Sequence, residues 1–167
     1  MRPGQHPQEF MGVLGQYARA VDYLFNAIAE TGFSADHCSY PLLYLLRHTL
    51  EVGLKANIQY IAREGSSPLR GSTGHGHDLG KLRQEFITLV EAQDIMDQET
   101  LAFFHQECLV MQDLIKLMPS ASSFRYTEET NGSRVFGSEV FDIAKLKPAF
   151  ERSRTILAYT PAVLFGA

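Results

Sequence analysis

Between Tyr40 and Arg63 the chain carries Leu42, Leu43, Leu45, Leu46, Leu50, Val52, Leu54, Ile58 and Ile61. On a helix these residues point in most directions, so the segment has no broad face to give to water. Ser39 stands where an N-cap belongs, and Pro41 falls in the first turn, where its missing N–H costs nothing. A helix over 39–63 that is apolar on most of its surface must be covered on most of it. It belongs at the centre of a bundle, and the rest of the chain has to supply the cover.

That cover is legible as further helices. Phe10, Val13, Leu14, Tyr17, Val21, Leu24, Phe25 and Ile28 recur at intervals of three and four, which predicts an amphipathic helix from Gln8 to Thr31, stopped by Gly32. Leu79, Leu82, Phe86, Leu89 and Val90 mark a shorter helix over 78–92. Asp97 caps a fourth, with Leu101, Phe104, Cys108, Met111, Ile115 and Met118 along its seam and Pro119 as its stop. A last helix runs from near Asp142 to about Val163, with Ile143, Leu146, Phe150 and Leu157 inward. Pro148 inside it predicts a kink or a 3₁₀ first turn.

Two stretches break the helical pattern. Residues 65–76 are a Gly/Ser-rich loop, and Asn131-Gly132 between β-prone residues in 124–136 signals a small hairpin or an ordered loop. The expected fold is all-α: an up-and-down bundle of four to five helices, with that excursion before the last helix. One domain over 1–167, with its core at about 8–164, accounts for the length.

Composition narrows the setting. The 167 residues hold 15 Lys+Arg against 19 Asp+Glu, a formal charge of −4, and are 45% hydrophobic. Such a chain can bury a core without staples. No apolar run reaches the ~18 residues of a membrane span, so no membrane partner is expected. The polar start, Met1 to Pro7, has no apolar signal core. Cys38 and Cys108 make no disulfide framework, which fits a reducing cytoplasm. The acidic balance argues against broad binding to duplex DNA.

The central helix also carries a polar stripe. At about 100° per residue, Tyr44, His48, Glu51 and Lys55 fall within roughly 60° of one another, with Arg47 roughly 40° beyond. Arg47, Glu51 and Lys55 are spaced for i,i+4 pairs, and a bidentate Arg47–Glu51 contact is within reach. A second polar group, His75-Gly-His77-Asp78, precedes the third helix, where His77 or Asp78 could cap its N-terminus. A helix start with glycines and with Arg70 and Arg83 nearby also favours an anion such as phosphate. No CxxC, HExxH, P-loop or dinucleotide fingerprint is present, so neither a metal nor a cofactor is expected. Cys108 lies in an apolar seam and reads as a small buried hydrophobe.

Three segments resemble one known family. They are Arg47-His48-Thr-Leu-Glu51-Val-Gly-Leu-Lys55 within the central helix, Gly76-His77-Asp78-Leu79 at the third, and Phe124-Arg125-Tyr126 followed by Gly132. In this order, over about residues 39–160, they are similar to bacterial HEPN domains (higher eukaryotes and prokaryotes nucleotide-binding). The resemblance implies a small helical bundle that homodimerises. It also implies a role in toxin–antitoxin or anti-phage systems, with RNA or a nucleotide and a cognate protein as partners.

Many HEPN domains are metal-independent endoribonucleases with an Arg, four to six residues, then a His on a helix. The matches to that spacing here are Arg70 to His75 and Arg70 to His77, and both begin in the Gly/Ser-rich loop. On this reading Arg47, His48, Glu51 and His77 form the catalytic group, and Arg125, Tyr126, Lys55, Asp78, Arg70 and His75 meet the ligand. Two other readings use the same residues. One is a non-catalytic interaction module whose polar cluster fixes bundle register, and the other is a small-molecule sensor with a pocket between helices. An open cleft at Arg47, His77 and Arg125 favours RNA or nucleotide handling, whereas burial with every partner matched favours the module.

Overall fold

In the computed structural model, residues 7–31, 39–65, 76–118 and 142–166 are described. They form five helices: α1 (Pro7–Thr31), α2 (Ser39–Glu64), α3 (Leu79–Glu91), α4 (Gln98–Lys116) and α5 (Ile143–Phe165). There is no strand among the described residues. The hairpin expected in 124–136 lies outside them, as do Arg70, His75, Arg125 and Tyr126.

Local chemistry sets the helix ends. The Asp78 carboxylate accepts the Lys81 N–H at 3.1 Å and caps α3, and Asp97 accepts the Thr100 N–H at 2.7 Å and caps α4. Both caps satisfy N–H groups that no helical carbonyl can reach. The fourth helix closes slightly before its expected end, with Leu117 as its C-cap. At the start of α5 the Asp142 carbonyl accepts both Lys145 N–H, a 3₁₀-type bond at 2.9 Å, and Leu146 N–H at 3.2 Å. The helix then continues through Pro148 and Pro161.

Helices α2, α3, α4 and α5 pack in a ring, each against the next, and α1 lies on α2 with a minor contact to α5. Thus α2 is flanked by α1, α3 and α5. That enclosure is what its composition demands: Leu46, Leu50, Leu54 and Ile58 are all 0% exposed. One core runs through all five helices, from Val21 and Phe25 through Phe86, Phe104 and Met111 to Phe150 and Leu157. Where α2 meets α5, Gly53 leaves no room for a side chain, since a Cβ there would stand 2.8 Å from Leu157 Cδ1.

One step departs from simple up-and-down order. Gly65, just past α2, lies against the side-chain amide of Gln93, just past α3, while Glu51 at the middle of α2 meets His77 just before α3. So α2 and α3 run the same way. The distance to be recrossed is roughly 20 Å of helix rise. Residues 66–75 suffice to join these ends at a reach of ~3.3 Å per residue. The consequence for function is direct: the polar start of α3 is brought back beside the polar stripe of α2.

Candidate functional site

Arg47 is 4% exposed, yet its guanidinium does not meet Glu51. Nη1 donates to the carbonyl of Met118 at 2.7 Å, and Nη2 donates to the carbonyl of His77. One side chain therefore ties the middle of α2 to the start of α3 and the end of α4. The expected bidentate Arg47–Glu51 contact is corrected by this geometry. The His77 carbonyl precedes the cap of α3 and the Met118 carbonyl follows the cap of α4, outside both helices, and a long buried cation can satisfy both. Burial pulls the Arg47 guanidinium below its ordinary value, against the opposing charges of Glu51 and Asp78.

Glu51 turns instead to the surface side of the stripe. Its Oε1 accepts Lys55 Nζ at 2.7 Å and pairs with His77 Nδ1 at 2.7 Å. Burial works to raise the Glu51 carboxyl, but hydrogen bonds and positive charge from Lys55 and His77 outweigh it, so the group lies below its ordinary value. An ionised Glu51 can only accept, so His77 Nδ1 donates to it and Nε2 is left outside the contact. The contrast in exposure is large: the Glu51 side chain is 8% exposed and that of His77 is 72% exposed. A buried carboxylate thus orients an imidazole that stands in water.

His48 shares the stripe but not this arrangement. Its ring stacks on Tyr44 (centroids 5.8 Å apart, planes 4° apart) and meets Tyr17 of α1 edge-on at 4.6 Å. Burial lowers its pKa, Glu51 opposes that, and the positive charges of Lys55 and His77 add to it. A half-buried, neutral imidazole between two tyrosines packs α1 onto α2. Asp78 is exposed and occupied with capping; the Lys81 N–H holds its carboxyl below the usual range. Arg83, expected to favour an anion at the α3 start, donates Nε to the Cys108 carbonyl at 2.7 Å.

The structure therefore brings together Arg47, Glu51, Lys55 and His77, with Asp78 alongside and His48 facing a different neighbour. No group of three or more His, Cys, Asp or Glu side chains able to hold a metal occurs among the described residues. Cys108 is fully buried and its thiol is pushed up to about 12, which makes it inert at neutral pH. His105 pairs with Glu91 at 2.9 Å.

A second polar feature escaped the sequence reading. Glu107 of α4, 5% exposed, receives a bidentate pair from Arg152 of α5, Nε at 2.8 Å and Nη2 at 2.6 Å. The available signal was a carboxylate three residues after Phe104, beside an apolar seam. Nothing local indicated its partner.

This chain matches no family model, no curated protein and no solved structure in comparison with each. No helix among the described residues is long and apolar enough to cross a membrane.

Proposed function

We propose that this bundle is a HEPN-like component of a bacterial defence or toxin–antitoxin system, working in the cytoplasm as a homodimer and handling RNA or a nucleotide. The observation that carries the reading is the Glu51–His77 dyad, a buried, ionised carboxylate on Nδ1 of an exposed histidine at 2.7 Å. Such a dyad holds the ring by Nδ1 and presents Nε2 for proton transfer. With RNA, Nε2 takes the proton of a 2′-hydroxyl as that oxygen attacks the adjacent phosphorus. The 5′-oxygen then leaves with a proton from solvent, giving a 2′,3′-cyclic phosphate and a 5′-hydroxyl without a metal. Lys55, 18% exposed at its side chain, supplies positive charge beside the dyad.

A second reading has its own observation. Both terminal nitrogens of Arg47 are used on backbone carbonyls, which is the behaviour of a structural staple in a non-catalytic interaction module or a ligand sensor. The two readings part at His77, not at Arg47. The test is incubation of 5′-labelled single-stranded RNA with the purified chain in EDTA, alongside His77→Asn and Glu51→Gln. Cleavage to cyclic-phosphate ends, lost in His77→Asn, supports the catalytic reading. Binding of RNA without cleavage supports the nucleotide-binding part alone. Neither binding nor cleavage leaves the interaction module.

A further inference from the structure

The seam of α4 that faces the ring, Phe104, Cys108, Met111 and Leu114, is buried. Its opposite side is only partly polar, where a solvent-facing helix surface would be polar throughout. Ala102, Phe103, Leu109, Val110 and Leu117 fall within roughly 120° of one another at 100° per residue, with Glu99, Gln106 and Asp113 in the same sector. Phe103 is 60% exposed, Leu109 51% and Leu117 48%. The face adjoins a groove toward α5 of about 420 Å³, lined by Phe103, Pro148, Thr155 and Ile156 together with the charged Glu107, Glu151 and Arg152.

We infer that this face of α4 is where a second copy of the chain docks, with the two α4 helices antiparallel across a two-fold axis between Leu109 and Val110. The inference deepens the homodimer part of the reading above by naming its surface. The argument is the pattern of the face under that symmetry. An isologous contact requires the surface to complement itself. With the axis at that point, Ala102 lies opposite the partner's Leu117, small against large, and Leu109 lies opposite the partner's Val110. Two of the face's three polar residues also meet: Gln106 comes opposite Asp113 of the partner subunit, so an amide N–H can donate to the carboxylate on each side, while Glu99 lies at the end of the face. A parallel pairing in register would instead set Asp113 on the partner's Asp113, which like charge disfavours. Asp113 already bonds its own Lys116 at 2.8 Å, so it reaches the seam partly neutralised.

The experiment is sedimentation equilibrium on the full chain from sub-micromolar to tens of micromolar. Wild type should reach a two-chain mass. Val110→Glu places two charges at the axis and should weaken association by ~100-fold or more. Two exposed substitutions then test the register without touching the fold. Gln106→Lys puts a cation opposite the partner's Asp113 and should tighten the dimer at low salt, while Gln106→Glu should loosen it, and added salt should shrink both effects. If Val110→Glu fails to fold, as circular dichroism would report, this pair carries the test. A dimer that ignores Val110→Glu and both charges at position 106 overturns the surface and leaves the homodimer itself standing. A single-chain mass at every concentration, as when the face is covered from within the same chain, overturns both.

Discussion

Arg47→Met removes the guanidinium and keeps an unbranched stem that fills the same space. The wild-type side chain serves two carbonyls, Met118 O at 2.7 Å and His77 O, and the first of these bonds is buried. A buried acceptor stripped of its donor costs ~1–3 kcal/mol, so the two together set a ceiling of ~6 kcal/mol. Two effects oppose the loss. Burial of the guanidinium is itself unfavourable, and Nε has no hydrogen-bond partner, so the variant is relieved of both. Glu51 does not become an orphan, because it keeps Lys55 and His77. The net expectation is a loss of ~2–4 kcal/mol, a large share of the 5–15 kcal/mol typical of a domain. Urea unfolding followed by far-ultraviolet circular dichroism measures it, with Arg47→Lys as the companion. A lysine can satisfy one of the carbonyls and should fall between the other two proteins. A loss below ~1 kcal/mol with an unchanged m-value would refute the staple and return Arg47 to the catalytic group that the resemblance implies.

The pH behaviour of the same stripe gives two further expectations. The Glu51 carboxyl is lower in the folded chain than in the unfolded one, so its stabilisation is complete above the unfolded value near ~4.3 and is lost as pH falls through the native value. The stability gap between wild type and Glu51→Gln, read from urea midpoints, should be widest near neutrality and close in acid. His48 is also lowered, so the unfolded chain binds its proton more readily and acidification below ~6.5 costs stability. His48→Phe should flatten that part of the profile; an unchanged slope would mean the ring is protonated in place. Gly53→Ala gains ~1 kcal/mol of helix propensity but sets a methyl 2.8 Å from Leu157 Cδ1 and 3.2 Å from Leu14 Cδ1, an overpacking worth ~1–3 kcal/mol. A lower melting temperature is expected, and a higher one would show slack between α2 and α5. In a Cys38→Ser background, iodoacetamide should leave native Cys108 unmodified at neutral pH and label it after denaturation.

The sequence determined what is local. The near-continuous apolar surface of 42–61 required a helix enclosed by others, and it is enclosed by three. Asp97 announced its cap, and His77 or Asp78 was the choice at α3, which the structure gives to Asp78, because a cap needs only a side chain and an N–H three residues on. Spacing of one turn also announced Glu51 with Lys55.

Tertiary structure decided everything that joins distant residues. Arg47 had one candidate on its own helix face, Glu51, but it bonds carbonyls 71 and 30 positions away. Periodicity names the face of a helix and is silent on which chain ends will emerge against it. His77 and Glu51, 26 positions apart, meet because α2 and α3 run in the same direction, and no local pattern encodes the direction of the next helix. Glu107 and Arg152, 45 apart, are joined because α4 packs on α5. A turn of helix is fixed by hydrogen bonds between near neighbours, whereas a buried charge takes whichever partner the packed core leaves within reach.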